Sequence, residues 1–101
     1  MRQRLPNRRS SVTRSFEFDG QIYRATASRF PDGRLAEIFL DCGKAGSAVQ
    51  MHAENAAILV SMLLQNGVPY DDIRSNVTGP IAEALNQFYV DAMWRNDRSG
   101  V

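Results

Sequence analysis

Two tight turns leave this chain little choice of sheet. Asp19-Gly20 separates two stretches that alternate apolar and polar residues, and Asp-Gly tolerates the positive φ angles of a type I′ hairpin. Phe30-Pro31-Asp32-Gly33 is the second turn, with proline fixing φ and glycine free to go positive. Arg14–Asp19, Gln21–Arg29 and Arg34–Asp41 are therefore predicted as successive antiparallel strands. The first turn sets a register of Phe18 across from Gln21, Phe16 from Tyr23 and Arg14 from Ala25. One face then carries Phe16, Phe18, Tyr23, Ala25 and Ala27, while Ile22 lies opposite Glu17 on the other. In the third strand Ala36, Ile38 and Leu40 share one face and Leu35, Glu37 and Phe39 the other. Apolar residues on both faces predict the central or most covered strand.

A loop, Cys42 to Gly46, leads to Ser47, a candidate helix cap. The helix it opens is predicted from about Ala48 to Asn66, ended by Gly67 and followed by Val68-Pro69. Val49, Ala53, Ala56, Val60, Leu63 and Leu64 form a stripe, widened by Ile58, Leu59 and Met62, so this should be the core helix. Its buried positions are expected to be Val49, Ala53, Ala56, Val60 and Leu63, facing Phe16, Phe18, Ile38 and Leu40. Pro69 to about Arg74 reads as one short helical turn. Thr78-Gly79-Pro80 opens the last helix, with Thr78 as candidate cap and Pro80 in the first turn. Ile81, Leu85, Phe88 and Ala92 follow on one face. The expected fold is α+β, a three-stranded antiparallel meander with two main helices on one face. Residues 1–13, with Arg2, Arg4, Arg8 and Arg9, read as a flexible basic arm, 14–96 as the domain and 97–101 as a frayed tail.

Composition narrows the function classes. At 101 residues the chain fits one domain with one modest core, and its net charge of +1 calls for no polyanionic partner. Cys42 is the single cysteine, so neither an internal disulfide nor a cysteine-based zinc site forms within one chain. These features suggest the cytoplasm of a bacterium or phage-infected cell. The N-terminus has arginines but no apolar segment of the secretory type. The longest apolar run, Ala56 to Leu64, is interrupted by Ser61 and too short to span a bilayer.

The order of Asp32-Gly-Arg-Leu-Ala-Glu-Ile-Phe-Leu40, then Lys44, Gly46 and the Gln65-Asn-Gly67-Val68-Pro69 helix end, resembles the TSCPD domain. That domain closes the C-terminal end of adenosylcobalamin-dependent ribonucleotide reductases. The likeness covers roughly Ser15 to Asn86. Small free-standing proteins that open with Arg4-Leu5-Pro6-Asn7-Arg8-Arg9 look similar. The family is named for a Thr-Ser-Cys-Pro-Asp motif. Here the corresponding positions are Val77, Thr78, Gly79, Pro80 and Ile81, so proline is kept while cysteine and aspartate are missing. The resemblance implies an appendage separate from the catalytic barrel. The family's reductases need a thiyl-forming cysteine, a cysteine pair to supply electrons and a large barrel. With its single cysteine this chain is expected to share ancestry with them and not activity.

Gly43, Lys44, Gly46 and Ser47, just before a helix, form the candidate anion site, since free N–H groups and a lysine attract a phosphate or carboxylate. The plainer reading, which we prefer, is an ordinary β-to-α connection with a normal cap. The Walker order is absent. Cys42 reads as a small apolar filler more than a reactive thiol. His52 and Glu54, two apart, point in different directions, and Asp71-Asp72 read as capping and dipole partners, so no metal site is expected. Trp94 is either a core plug or an anchor for another subunit.

The expected function is therefore a non-catalytic accessory or binding module, docking to a protein partner such as a ribonucleotide reductase subunit or holding a small anion. No cofactor is expected. The alternative is a nucleic-acid-binding or phage-type regulatory protein using Arg2, Arg4, Arg8 and Arg9. An enzyme ranks last, because no acid–base pair or nucleophile–base pair stands at recognisable spacing. A homo-oligomer is also expected, since so much apolar helix exceeds what one thin sheet covers.

Overall fold

A computed structural model describes residues 10–99, with side chains through residue 89. Three strands, β1 (Ser11–Phe18), β2 (Gln21–Arg29) and β3 (Leu35–Asp41), are followed by helices α1 (Ala48–Gln65), α2 (Tyr70–Asn76) and α3 (Pro80–Ser99). The sheet is antiparallel in the order β1-β2-β3, giving the expected α+β meander. Asp19 and Gly20 have φ of 52° and 77°, as a type I′ turn requires. The predicted register is observed: Phe18 pairs with Gln21, Phe16 with Tyr23 and Arg14 with Ala25. Phe16 and Tyr23 stack with ring centroids 5.5 Å apart.

Two boundaries differ from the sequence reading. β1 begins at Ser11, inside the stretch assigned to the arm, because Ser11 to Thr13 continue the ladder with Ser28 to Thr26. Ladder bonds are made by the backbone and need no apolar periodicity. α3 runs through Ser99, past the expected start of the tail.

β2, and not β3, is the central strand. β3 is nevertheless well covered, with Leu35, Ala36, Ile38 and Leu40 buried and Phe39 exposed. α1 packs against β3, α3 against β1 and β2, and α2 bridges the two long helices. The core joins Phe16, Tyr23, Ala25, Ile38 and Leu40 to Val60 and Leu64 of α1 and to Leu85 and Phe88 of α3. A register shift at Ser28/Arg29 turns the chain so that both Ala27 and Ser28 are buried.

Polar contacts hold α3 in place. Arg14 donates to the Gln87 carbonyl at 3.0 Å, and Arg29 to the Phe88 carbonyl at 3.2 Å. Tyr70 Oη donates to the Leu85 carbonyl, and its ring stacks on Tyr89. Burial pushes the Tyr70 hydroxyl up to about 12, with Arg74 opposing the shift. α3 starts with Gly79 in the capping position, its carbonyl accepting from Ala82 and Glu83. Thr78, the expected cap, lies one residue too early, while Pro80 takes the first helical position as predicted.

Candidate functional site

The site is built where α1 meets the outer edge of β3. Edge strands leave a row of backbone groups without a strand partner. On β3 the outward-directed residues are Ala36, Ile38 and Leu40, because Ile38 bonds away from β2. Ser61 Oγ accepts from Ile38 N–H at 2.9 Å and donates to the Ile38 carbonyl at 3.0 Å. Gln65 Nε2 donates to the Ala36 carbonyl at 3.2 Å. Just beyond β3, Gln50 Oε1 accepts from Cys42 N–H at 2.8 Å, and Gln50 Nε2 donates to Glu54 at 2.6 Å. Three buried polar side chains of one helix thus serve the strand edge.

This requirement sets the helix face. The buried residues of α1 are Gln50, Ala53, Ala57, Val60, Ser61, Leu64 and Gln65. Ala53 and Val60 are buried as expected. Val49 and Leu63, both predicted to be buried, are exposed, and Ala56 is only partly buried. The helix is rotated toward its polar trio because unmet edge groups cost about 1–3 kcal/mol each when buried. Sequence reading missed Gln50, Ser61 and Gln65. The available signal was the unbroken spacing 50, 53, 57, 60/61, 64/65, which is a better helical stripe than the more apolar one.

Between α1 and the edge runs an open groove of about 1090 Å³. Phe39, Leu40, Met51, Ala57 and Ile58 supply its apolar lining, and Asp41 and Glu54 its carboxylates. Leu40, buried in the core, and Asp41 form its floor at the end of β3.

The candidate anion residues divide around this groove. Gly43, Gly46 and Ser47 line it, whereas Lys44 is exposed outside the lining. Several donors at this end are already engaged. Gly43 N–H bonds Asp41 Oδ1 at 2.8 Å, and Gln50 N–H bonds the Ser47 hydroxyl at 3.1 Å, making Ser47 the cap predicted for it. Gly43 and Gly46 hold φ of 74° and 80°, values that favour glycine. Cys42 is buried in the core. His52 is exposed on α1, and Asp71 and Asp72 are exposed in the first turn of α2, where they face its dipole without making a side-chain cap bond. Among the described residues no group of three or more His, Cys, Asp or Glu is placed to hold a metal ion. Arg2, Arg4, Arg8 and Arg9 lie outside the described residues, as does the side chain of Trp94.

The outward face of α1 has an unusual character. Val49, Leu59, Met62 and Leu63 are all exposed there, by 43–61%. A solvated helix face ordinarily carries charge. The exposed positions of α1 hold only His52 and Glu54 as ionisable groups.

Comparison with known proteins adds kinship to this geometry. The TSCPD domain family matches residues 2–91. The vitamin B12-dependent ribonucleotide reductase of Bradyrhizobium diazoefficiens is 39% identical over 71 residues, 70% of this chain and 6% of that protein. Those of Streptomyces coelicolor and Streptantibioticus cattleyicolor are each 38% identical over 78 residues, 77% of this chain and 8% and 13% of theirs. The chain thus spans only a small part of these relatives. No solved structure matches it.

Proposed function

The chain belongs to the TSCPD domain family, and from that premise we propose that it is a non-catalytic accessory module that docks to a protein partner, a ribonucleotide reductase subunit. The observation that carries this reading is the groove at the β3 edge. Its apolar lining of Phe39, Met51 and Ile58 lies open at the end of the β3 edge, where an extended apolar segment of a partner can lie. A small anion is the less supported ligand. Gly43 and Gln50 N–H groups are engaged, and Asp41 and Glu54 place negative charge in the same groove.

The test is affinity capture from the native host with the full chain as bait, followed by mass spectrometry. Reductase subunits are expected in the eluate, and Phe39→Lys should reduce their recovery. Salt-sensitive nucleic acid in their place would favour the arm-based alternative. Unchanged recovery with Phe39→Lys would remove the groove from the proposal.

A further inference from the structure

We propose that the groove between α1 and the β3 edge takes an extended segment of a partner protein in which an apolar side chain stands two positions from a lysine or arginine. This deepens the docking reading and rests on it. The register of α1 along β3 orders the groove. Gln65 bonds Ala36, Ser61 bonds Ile38 and Gln50 bonds Cys42, so helix and strand run in opposite directions. That run sets Ile58 near the level of Phe39 and Glu54 near the level of Asp41, all four lining the groove. Phe39 and Asp41, two apart on a strand, share one side of it. Glu54 and Ile58, four apart on a helix, share one face. Each wall thus carries an apolar residue at one level and a carboxylate at the other. The two levels are about 6–7 Å apart, two residues of strand or four of helix. An extended chain repeats its side chains on one face with that same step.

The carboxylate level selects the occupant's charge. Among the described residues, Asp41 and Glu54 are the ionisable groups of the lining, and Lys44 stands outside it. Arg24 approaches Asp41 only to 3.8 Å, with the two side chains 66% and 48% exposed, so water screens the pair and it neutralises little. Each carboxylate has one oxygen tied inside the chain. Asp41 Oδ1 accepts from Gly43 N–H, and Glu54 Oε1 accepts from Gln50 Nε2. These bonds hold both groups in place while their charge faces the groove. An acidic segment would meet repulsion here, and an uncharged one would leave the level unmatched. A bare cation would leave the other level uncovered, where Phe39 and Ile58 are 53% and 54% exposed. A segment that combines an apolar and a basic side chain satisfies both.

Selection of a random heptapeptide display library on the full chain tests this. Enriched peptides are expected to carry an apolar residue two positions from a lysine or arginine. Asp41→Asn and Glu54→Gln remove both charges yet keep the oxygens that accept from Gly43 and Gln50. The double variant should bind a selected, fluorescein-labelled peptide about 3- to 10-fold more weakly by anisotropy. Added salt should weaken binding by the wild type and leave that by the variant nearly unchanged. Ile22→Glu, away from the groove, should bind as the wild type does. Circular dichroism checks folding, and Glu54→Gln alone replaces the double variant if that unfolds. No enrichment would overturn the proposal, as would enriched peptides without a basic residue or binding indifferent to the neutralising changes. Tighter peptide binding after deletion of residues 1–9 would also overturn it, giving the groove to the chain's own arginines. Repeating the affinity capture with the double variant separates the two readings. Reductase capture that needs Phe39 but neither carboxylate leaves docking intact and removes the basic residue. Apolar–basic peptides selected by a chain that captures no reductase keep the groove's chemistry and remove that partner.

Discussion

Ser61 shows how much a single hydroxyl does in this fold. It is buried, and its oxygen both accepts from and donates to the backbone of Ile38. Ser61→Ala should therefore cost about 1–3 kcal/mol, although alanine is the better helix former. Urea unfolding measures it, and a neutral result would mean water replaces the hydroxyl. Tyr70 gives a pH-dependent counterpart. Its folded pKa is raised from 10.0 to about 12, so the native state holds the phenolic proton more tightly than the unfolded chain. The resulting stability is fully present below pH 10 and is lost as pH rises from there through about 12. Tyr70→Phe should destabilise the protein by about 1 kcal/mol at neutral pH through loss of the bond to Leu85. It should also flatten the alkaline decline, as unfolding followed at several pH values would reveal.

At the scale of elements, α1 sets a contrast between neighbours. Leu64 is buried in the core, while Leu63 lies 43% exposed on the outer face. Leu64→Ala should cost about 2–5 kcal/mol, and Leu63→Ala less than about 1 kcal/mol when unfolding is followed in dilute solution. Equal losses would mean that the helix is rotated differently. The end of α1 is fixed just as specifically. Val68 N–H bonds the Leu63 carbonyl and Gly67 N–H that of Leu64, the paired bonds of a Schellman close. Gly67 has φ of 87° with open space where a Cβ would stand. Gly67→Ala should thus cost about 1–2 kcal/mol from backbone strain alone, without a clash. Thermal unfolding of the variant checks this.

For the whole molecule, sheet and helices form one layer on another, and the conspicuous unsatisfied surface is the outer side of α1. None of the described helices is long and apolar enough to cross a membrane. Purified protein is expected to show no nucleotide reduction with cobalamin and a dithiol, and turnover in a preparation free of other reductases would overturn the accessory reading. The arm calls for a cut chosen from the observed strand. Because β1 begins at Ser11, the deletion should end at residue 9, sparing the pairs from Ser11 to Thr13. That truncation should leave folding and partner capture intact. If gel-shift titration instead finds tight binding to nucleic acid that the truncation abolishes, the arginines are phosphate contacts.

Local chemistry made much of this fold legible. Asp19-Gly20 dictated a turn and with it the β1–β2 register, since side chains alternate strictly and a slip by one residue would invert every face. Ser47, Gly67 and Pro80 marked helix ends through bonds made within a few residues. The loop of Gly43, Lys44, Gly46 and Ser47 was also readable, but the groove it borders was not, because Phe39 and Ile58 meet there only after α1 packs beside β3. The run of strands and helices was readable from the residues, apart from the start of β1 and the end of α3, because turn geometry and caps are short-range. Two stripes competed along α1, and packing against β3 chose between them. Apolar content favoured the side bearing Leu63, but the edge of β3 needed hydrogen-bond partners, and Gln50, Ser61 and Gln65 supplied them.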